Sequence, residues 1–168
     1  MTIAEMLLPE FDREVAVTRK TLERVPDGRL EWRPHEKSTT LGGLATHLSN
    51  LLSWAVHTVE KDSIDIAPGG TPLRAEPIKS AAGAVEVFDR NAASARAAIA
   101  GATDERLMGT WTLFANGNRI FSQPRAGVLR GMVMNHMIHH RAQLGVYLRL
   151  NDVPVPSVYG PSADESTF

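Results

Sequence analysis

The chain contains no cysteine, which removes disulfides, thiolate metal ligands and a cysteine nucleophile and leaves His, Asp and Glu for any metal. A charge excess of either sign is also missing. The formal net charge is -1 and the sequence pI about 6.6, and no basic stripe is clustered, so nothing points to nucleic acid or an anionic membrane as a partner. No apolar run approaches the roughly 20 residues of a membrane span. Glu5, Glu10, Asp12 and Glu14 interrupt the N-terminus where a secretory segment would be apolar. These absences predict a soluble, cytoplasmic protein.

What is present suffices for one core. With 168 residues and 43% hydrophobic content, the chain reads as a single domain, 1–168. Leu7, Leu8, Phe11, Val15, Thr18, Leu22 and Val25 recur at helical steps and predict a first helix from about Ile3 to Val25, stopped by Pro26-Asp27-Gly28. An ordered polar loop, Arg29 to Thr39, carries Trp32, Pro34 and His35. Thr40 then caps a second helix in the apolar run from Leu41 to Val59, with Leu41, Leu44, His47, Leu48, Leu51 and Ala55 on one side. Lys61 to Lys79, broken by Pro68, Gly69, Gly70, Pro72 and Pro77, reads as an extended crossover long enough to start the third helix, about Ser80 to Ala100, parallel to the second. From Gly109 to Gln123 the pattern becomes a small β-hairpin around Asn116-Gly117, a favoured type I′ pair. Pro124 suits the first turn of a last helix reaching about Leu150, and the proline-rich stretch from Asn151 to Phe168 cannot be helical throughout.

The chemistry gathers in that last helix, in Asn135-His136-Met137-Ile138-His139-His140-Arg141-Ala142-Gln143. At about 100° per residue, His136 and His140 project from one face a turn apart, a spacing at which two imidazoles grip one metal ion. Leu129, Met132, Val133, Leu144 and Tyr147 extend the same stripe, so the histidine face is expected to pack. His47 is the candidate third ligand. It lies roughly 10 Å into the second helix, and His140 and His136 lie roughly 15 to 21 Å before the end of the last, so antiparallel packing aligns them. The topology is then helices one and four up, two and three down. His35, Trp32 and Tyr159 become walls of a substrate mouth. Gln143, within about 20° of His136 on the helix, is placed to orient a ligand. Taken singly, His35, His57 and His139 read as ordinary histidines, tryptophans 32, 54 and 111 as packing anchors, and Arg141 as a solvated or salt-bridged surface arginine. No Asp or Glu stands out near the stripe as a general base.

Pro34-His35 before the Thr-capped helix with Ala45-Thr46-His47, together with the His136 to Gln143 segment, resembles the DinB-like superfamily of metal-dependent hydrolases, which is unrelated to the polymerase of the same name. The likeness runs over nearly the whole chain, including Tyr147-Leu148-Arg149-Leu150 and the Pro154 to Glu165 tail. It implies an all-α four-helix bundle, up-down-down-up, commonly homodimeric, with a divalent metal ion on three histidines. By that resemblance the ligands are His47, His136 and His140, with His139 beside the site, and the metal is zinc or nickel. Three ligands leave an open position for activating water against a small electrophilic substrate. Relatives also include transferases and isomerases that use a low-molecular-weight thiol, and a non-catalytic metal-binding stress-response protein is the third expectation. Many relatives carry an aromatic where this chain has Thr39.

Overall fold

Thr2 opens the first helix through a reciprocal cap: its hydroxyl accepts the Glu5 N–H, and the Glu5 carboxylate accepts the Thr2 N–H at 2.7 Å. The structure, a computed structural model, describes residues 1–166. Helix α1 is Ile3–Leu22. It stops short of the expected Val25 because Pro26 disfavours helical backbone just before it, and Arg24 and Val25 close tighter turns onto Thr21 and Leu22.

The expected second helix is two. α2, Leu41–Leu51, starts where the Thr40 hydroxyl accepts the Gly43 N–H, and α3, Ser53–Glu60, follows a break at Leu52. The break has a local cause. Asn50 donates to the Thr46 carbonyl and the Ser53 hydroxyl to the Asn50 carbonyl, side-chain bonds that compete with the helical ladder.

Lys61 to Lys79 is more than a plain crossover. It contributes strand β1, Ser63–Asp65, and a 3₁₀ turn at Pro68–Gly70 before α4, Ala81–Gly101, capped by Ser80. A short helix that the sequence reading missed, α5 at Asp104–Met108, is capped by Thr103 and carries two acids in its first turn. Strands β2, Thr110–Ala115, and β3, Asn118–Pro124, form the expected antiparallel hairpin, with Asn116 and Gly117 at φ 50° and 75°. β1 joins β2 in parallel, giving a three-stranded sheet in the order β1-β2-β3. Asp65 ties it together, its carboxylate accepting the Asn116 and Gly117 N–H groups.

The last helical run comprises α6, Arg125–Val128, a π-helical segment, Leu129–Asn135, and α7, His136–Leu150. Contacts give the directions of these helices. Arg19 reaches Asp89 and Arg96 reaches Asp12, so α1 and α4 run antiparallel. Glu10 meets Arg130 and Glu14 meets Arg141, so α1 and the last run are parallel. Tyr147 donates to the Thr39 carbonyl while His47 meets His136, so α2 and α7 are antiparallel. Asn91 on α4 donates to the Ser49 carbonyl, and ahead of α4 the Ile78 N–H donates to Thr46, as parallel packing with α2 requires. Between these helices lies an apolar core of Phe11, Leu22, Leu44, Leu48, Phe88, Ile99, Leu144 and Leu148, with Ala84, Ala92 and Ala95 letting α4 approach its neighbours closely. The molecule is thus mostly helical with a small sheet. No helix among the described residues is long and apolar enough to cross a membrane.

Candidate metal centre

The π segment decides which way the histidines face. Buried positions step by five residues across it, Val128 to Val133 and Leu129 to Met134, and then revert to helical steps at Met137, Arg141, Leu144 and Leu148. The wider turn rotates everything downstream by about one residue, roughly 100°. The face that packs therefore carries Met137 and Arg141, and the histidines lie at its rim. His136 and His140 are half-buried and His47 is exposed, which corrects the expectation that the histidine face is the packed face.

Arg141 is likewise not a surface arginine. It is 3% exposed and its guanidinium donates at 2.6 Å to the carboxylate of Glu14, itself 1% exposed. The Tyr159 hydroxyl donates to the same carboxylate and accepts from Arg141, both at 2.9 Å.

At the rim the three histidines meet. The His136 Nε2 lies 3.3 Å from that of His47 and 2.8 Å from that of His140, and the three ligand atoms all fall within 4.8 Å of one another. Nitrogens about 2.05 Å from a tetrahedral ion stand about 3.3 Å apart; the His47–His136 pair has that separation and the His136–His140 pair is about half an ångström closer, so small side-chain rotations would seat a first-row divalent ion. The other ring nitrogen of His140 explains how that ring is aimed. His140 donates from Nδ1 to the Gln143 Oε1 at 2.6 Å, and the backbone at Met132, one turn before His136, opposes the lowering of the His136 pKa. With Nδ1 of His140 carrying its proton, the Nε2 of that ring presents a lone pair to the His136 Nε2 at 2.8 Å. That lone pair is available to a proton on the His136 Nε2 or to a cation held between the rings.

The electrostatics favour a metal over a proton as that cation. His47 is exposed as a residue, but its ring packs 5.0 and 4.6 Å between centroids from His136 and His140, and this partial desolvation, helped by His140 and His136, lowers it to about 4. Desolvation also lowers His136, with His140 adding to it, and lowers His140 against the opposing bond to Gln143. Neutral imidazole is the ligating form. The donor set present thus fits a divalent ion, with three nitrogens on one side and room on the other. His139 is exposed, stands edge-on to the His140 ring at 4.9 Å between centroids, and is outside this set.

The expected mouth is only partly there. Tyr159 is on the opposite side of α7 with Glu14 and Arg141, because the tail runs along α1 and α7, pinned by Arg24 to Glu165 and Arg149 to Asp164. Trp32 packs edge-on against Tyr147, 5.5 Å between centroids, and His35 is exposed in its loop, its Nδ1 accepting the Lys37 N–H. The space beside the histidines is walled by residues the sequence reading passed over. His47 borders two clefts, of about 410 and about 540 Å3, which share Leu73, Arg74 and Ala75. Trp54, His57, Ile64 and Ile66 line the first, and Leu30, Glu31, Thr40 and Ile78 the second. The only available signal for Arg74 was its place in a crossover long enough to fold back over α2.

Comparison with known proteins gives the fold and the family. A crystal structure of a DinB-like protein from Bacillus cereus superposes with a TM-score of 0.68 at 21% identity, covering 92% of this chain and 97% of that one. A DinB-like protein from Bacillus subtilis, YjoA, gives 0.66 at 17% identity, over 97% and 99%. Both share the fold with this chain. No curated protein matches it. The profile of the DinB superfamily matches residues 10–144, a span that takes in His47, His136 and His140, and the chain belongs to that superfamily.

Proposed function

We propose that the protein holds one divalent ion, zinc or nickel, on His47, His136 and His140 and uses its open side to act on a small electrophilic substrate as a metal-dependent hydrolase. The observation that carries this reading is the convergence of three Nε2 atoms while the His140 ring spends its Nδ1 proton on Gln143. A divalent ion bound there supplies a Lewis acid that makes water or a thiol nucleophilic near neutral pH. The chain's own residues do the rest. Gln143 holds the His140 ring in the ligating tautomer, and Trp54, Ile64, Ile66 and Leu73 offer apolar wall to a substrate entering beside His47.

A second reading, transfer to or from a low-molecular-weight thiol, is favoured by a specific feature: among the residues lining the clefts at the histidines, Glu31 is the only carboxylate. A thiol, more acidic than water, needs less help from a general base. Turnover that appears only with added thiol identifies this reading, and turnover without it the hydrolase. The whole reading places the protein in the cytoplasm as a homodimer, its four helical rods forming an up-down-down-up bundle.

Metal analysis tests the centre. Purified protein and the His139→Ala variant are expected to retain one ion per chain, and His140→Ala and His47→Ala to lose it. Unchanged stoichiometry in His140→Ala defeats the assignment. Cobalt-substituted protein with no exchangeable position would instead identify a non-catalytic metal-binding protein.

A further inference from the structure

We infer that Arg74 selects the substrate: it binds a carboxylate on a small ligand whose other end enters at the three histidines. The inference rests on the metal reading above and deepens it.

Three observations meet at this residue. The first is charge. Three neutral imidazoles leave a divalent ion with its full double charge, and the clefts bordering the histidines contain Glu31 as their single carboxylate, on the side away from Trp54 and His57. The protein itself does not balance the site, so an anionic ligand is favoured there.

The second is the state of Arg74. Most arginines of this chain are engaged, among them Arg19 with Asp89, Arg96 with Asp12, Arg106 and Arg125 with Asp62, Arg141 with Glu14 and Arg149 with Asp164; Arg29 and Arg119 also lack a partner among the described residues, but neither lines the clefts at His47. Arg74 makes no hydrogen bond and no ion pair among the described residues. A guanidinium offers a flat fork of donors that matches a carboxylate, and this one is unspent.

The third is placement. Arg74 and His47 line the same two clefts. The backbone carrying Arg74 is tied on both sides, the Leu73 N–H donating to the Ile66 carbonyl at 2.8 Å and the Ile78 N–H to the Thr46 hydroxyl at 3.0 Å. Thr46 is the neighbour of His47 on α2, so the strap and the histidine share an anchor.

The test uses cobalt-loaded full-length protein, whose visible spectrum reports ligand entry and whose metal content is measured beforehand. It is titrated with thiols of different charge: neutral 2-mercaptoethanol, cationic cysteamine, and an anionic series from mercaptoacetate to 4-mercaptobutyrate. Wild type is expected to bind at least one member of the anionic series about tenfold or more tighter than 2-mercaptoethanol, and cysteamine most weakly. Arg74→Gln should abolish that preference without altering metal content or the affinity for 2-mercaptoethanol, and Arg74→Lys should restore part of it. Lys79→Gln, which removes a cation of the same strap away from the clefts, should leave the ranking unchanged. A preference that is absent in wild type, survives Arg74→Gln, or is lost equally in Lys79→Gln overturns the inference while the metal reading stands. Failure to take up cobalt overturns both, and cobalt uptake with no spectral response to any thiol overturns the inference while the three-histidine metal site stands.

Discussion

At the scale of single residues, the site depends on where protons sit. Gln143 accepts the Nδ1 proton of His140, which turns the Nε2 lone pair of that ring toward His136. Gln143→Ala is therefore expected to weaken metal retention by about 10- to 100-fold, read by competition with a chromogenic chelator, with the fold intact. Tight retention in that variant would show that the ring is held by something else. The lowered histidine pKa values also set a pH dependence. In the unfolded chain these rings take up protons below about 6.5, whereas in the fold His47 resists protonation down to about 4 and its two partners are lowered too. The unfolded state then binds more protons, so stability rises with pH across this window. Metal-free protein should be most stable above about pH 6.5 and lose stability as pH falls toward about 4, and His47→Gln should flatten the curve in chemical denaturation. The pair spacing and Gln143 were legible in the sequence because three- and four-residue steps on a helix are local geometry. The π segment that sets which way His136 and His140 face was not, because no residue type announces it.

At the scale of elements, caps and turns were legible and continuity was not. Thr40, Ser80 and the Asn116-Gly117 turn act as their chemistry predicts. The unbroken periodicity from Leu41 to Val59 concealed the interruption at Leu52, since Asn50 and Ser53 read as ordinary helical residues until their side chains take backbone carbonyls. The start of α2 depends on closeness. Gly42 donates its N–H to the Leu30 carbonyl at 2.8 Å, and a Cβ added there would meet that oxygen and the Leu30 Cβ at 3.0 Å. Gly42→Ala is thus expected to destabilise the protein by about 1–3 kcal/mol through overpacking, seen as a lower denaturation midpoint with an unchanged slope. A neutral result would mean that the loop carrying Leu30 yields freely.

At the scale of the whole molecule, the buried pair of Glu14 and Arg141 joins the first helix to the last, and Tyr159 brings the tail onto it. Removing one partner strands a buried charge, so Arg141→Ala should cost about 3–5 kcal/mol. The double variant Glu14→Leu with Arg141→Met should recover most of that loss. If the double change is as harmful as the sum of the singles, the pair contributes more than charge compensation. Because Arg141 adjoins His140, cobalt spectra of the double variant show whether the ion pair also sets the angle at which α7 offers its histidines.

Local periodicity, capping residues and turn chemistry were enough to predict the helical rods, the hairpin and three histidines in a register that lets them meet, since each depends on neighbours a few positions away. Tertiary structure decided the rest: that Arg141 is buried, that Tyr159 turns away from the histidines, that β1 joins the sheet, and that Arg74 overlooks the cleft. The reason is physical. A charge is buried only when its partner arrives, and the partner of Arg141 is Glu14, 127 positions away in the chain, beyond the reach of any pattern read along a helix.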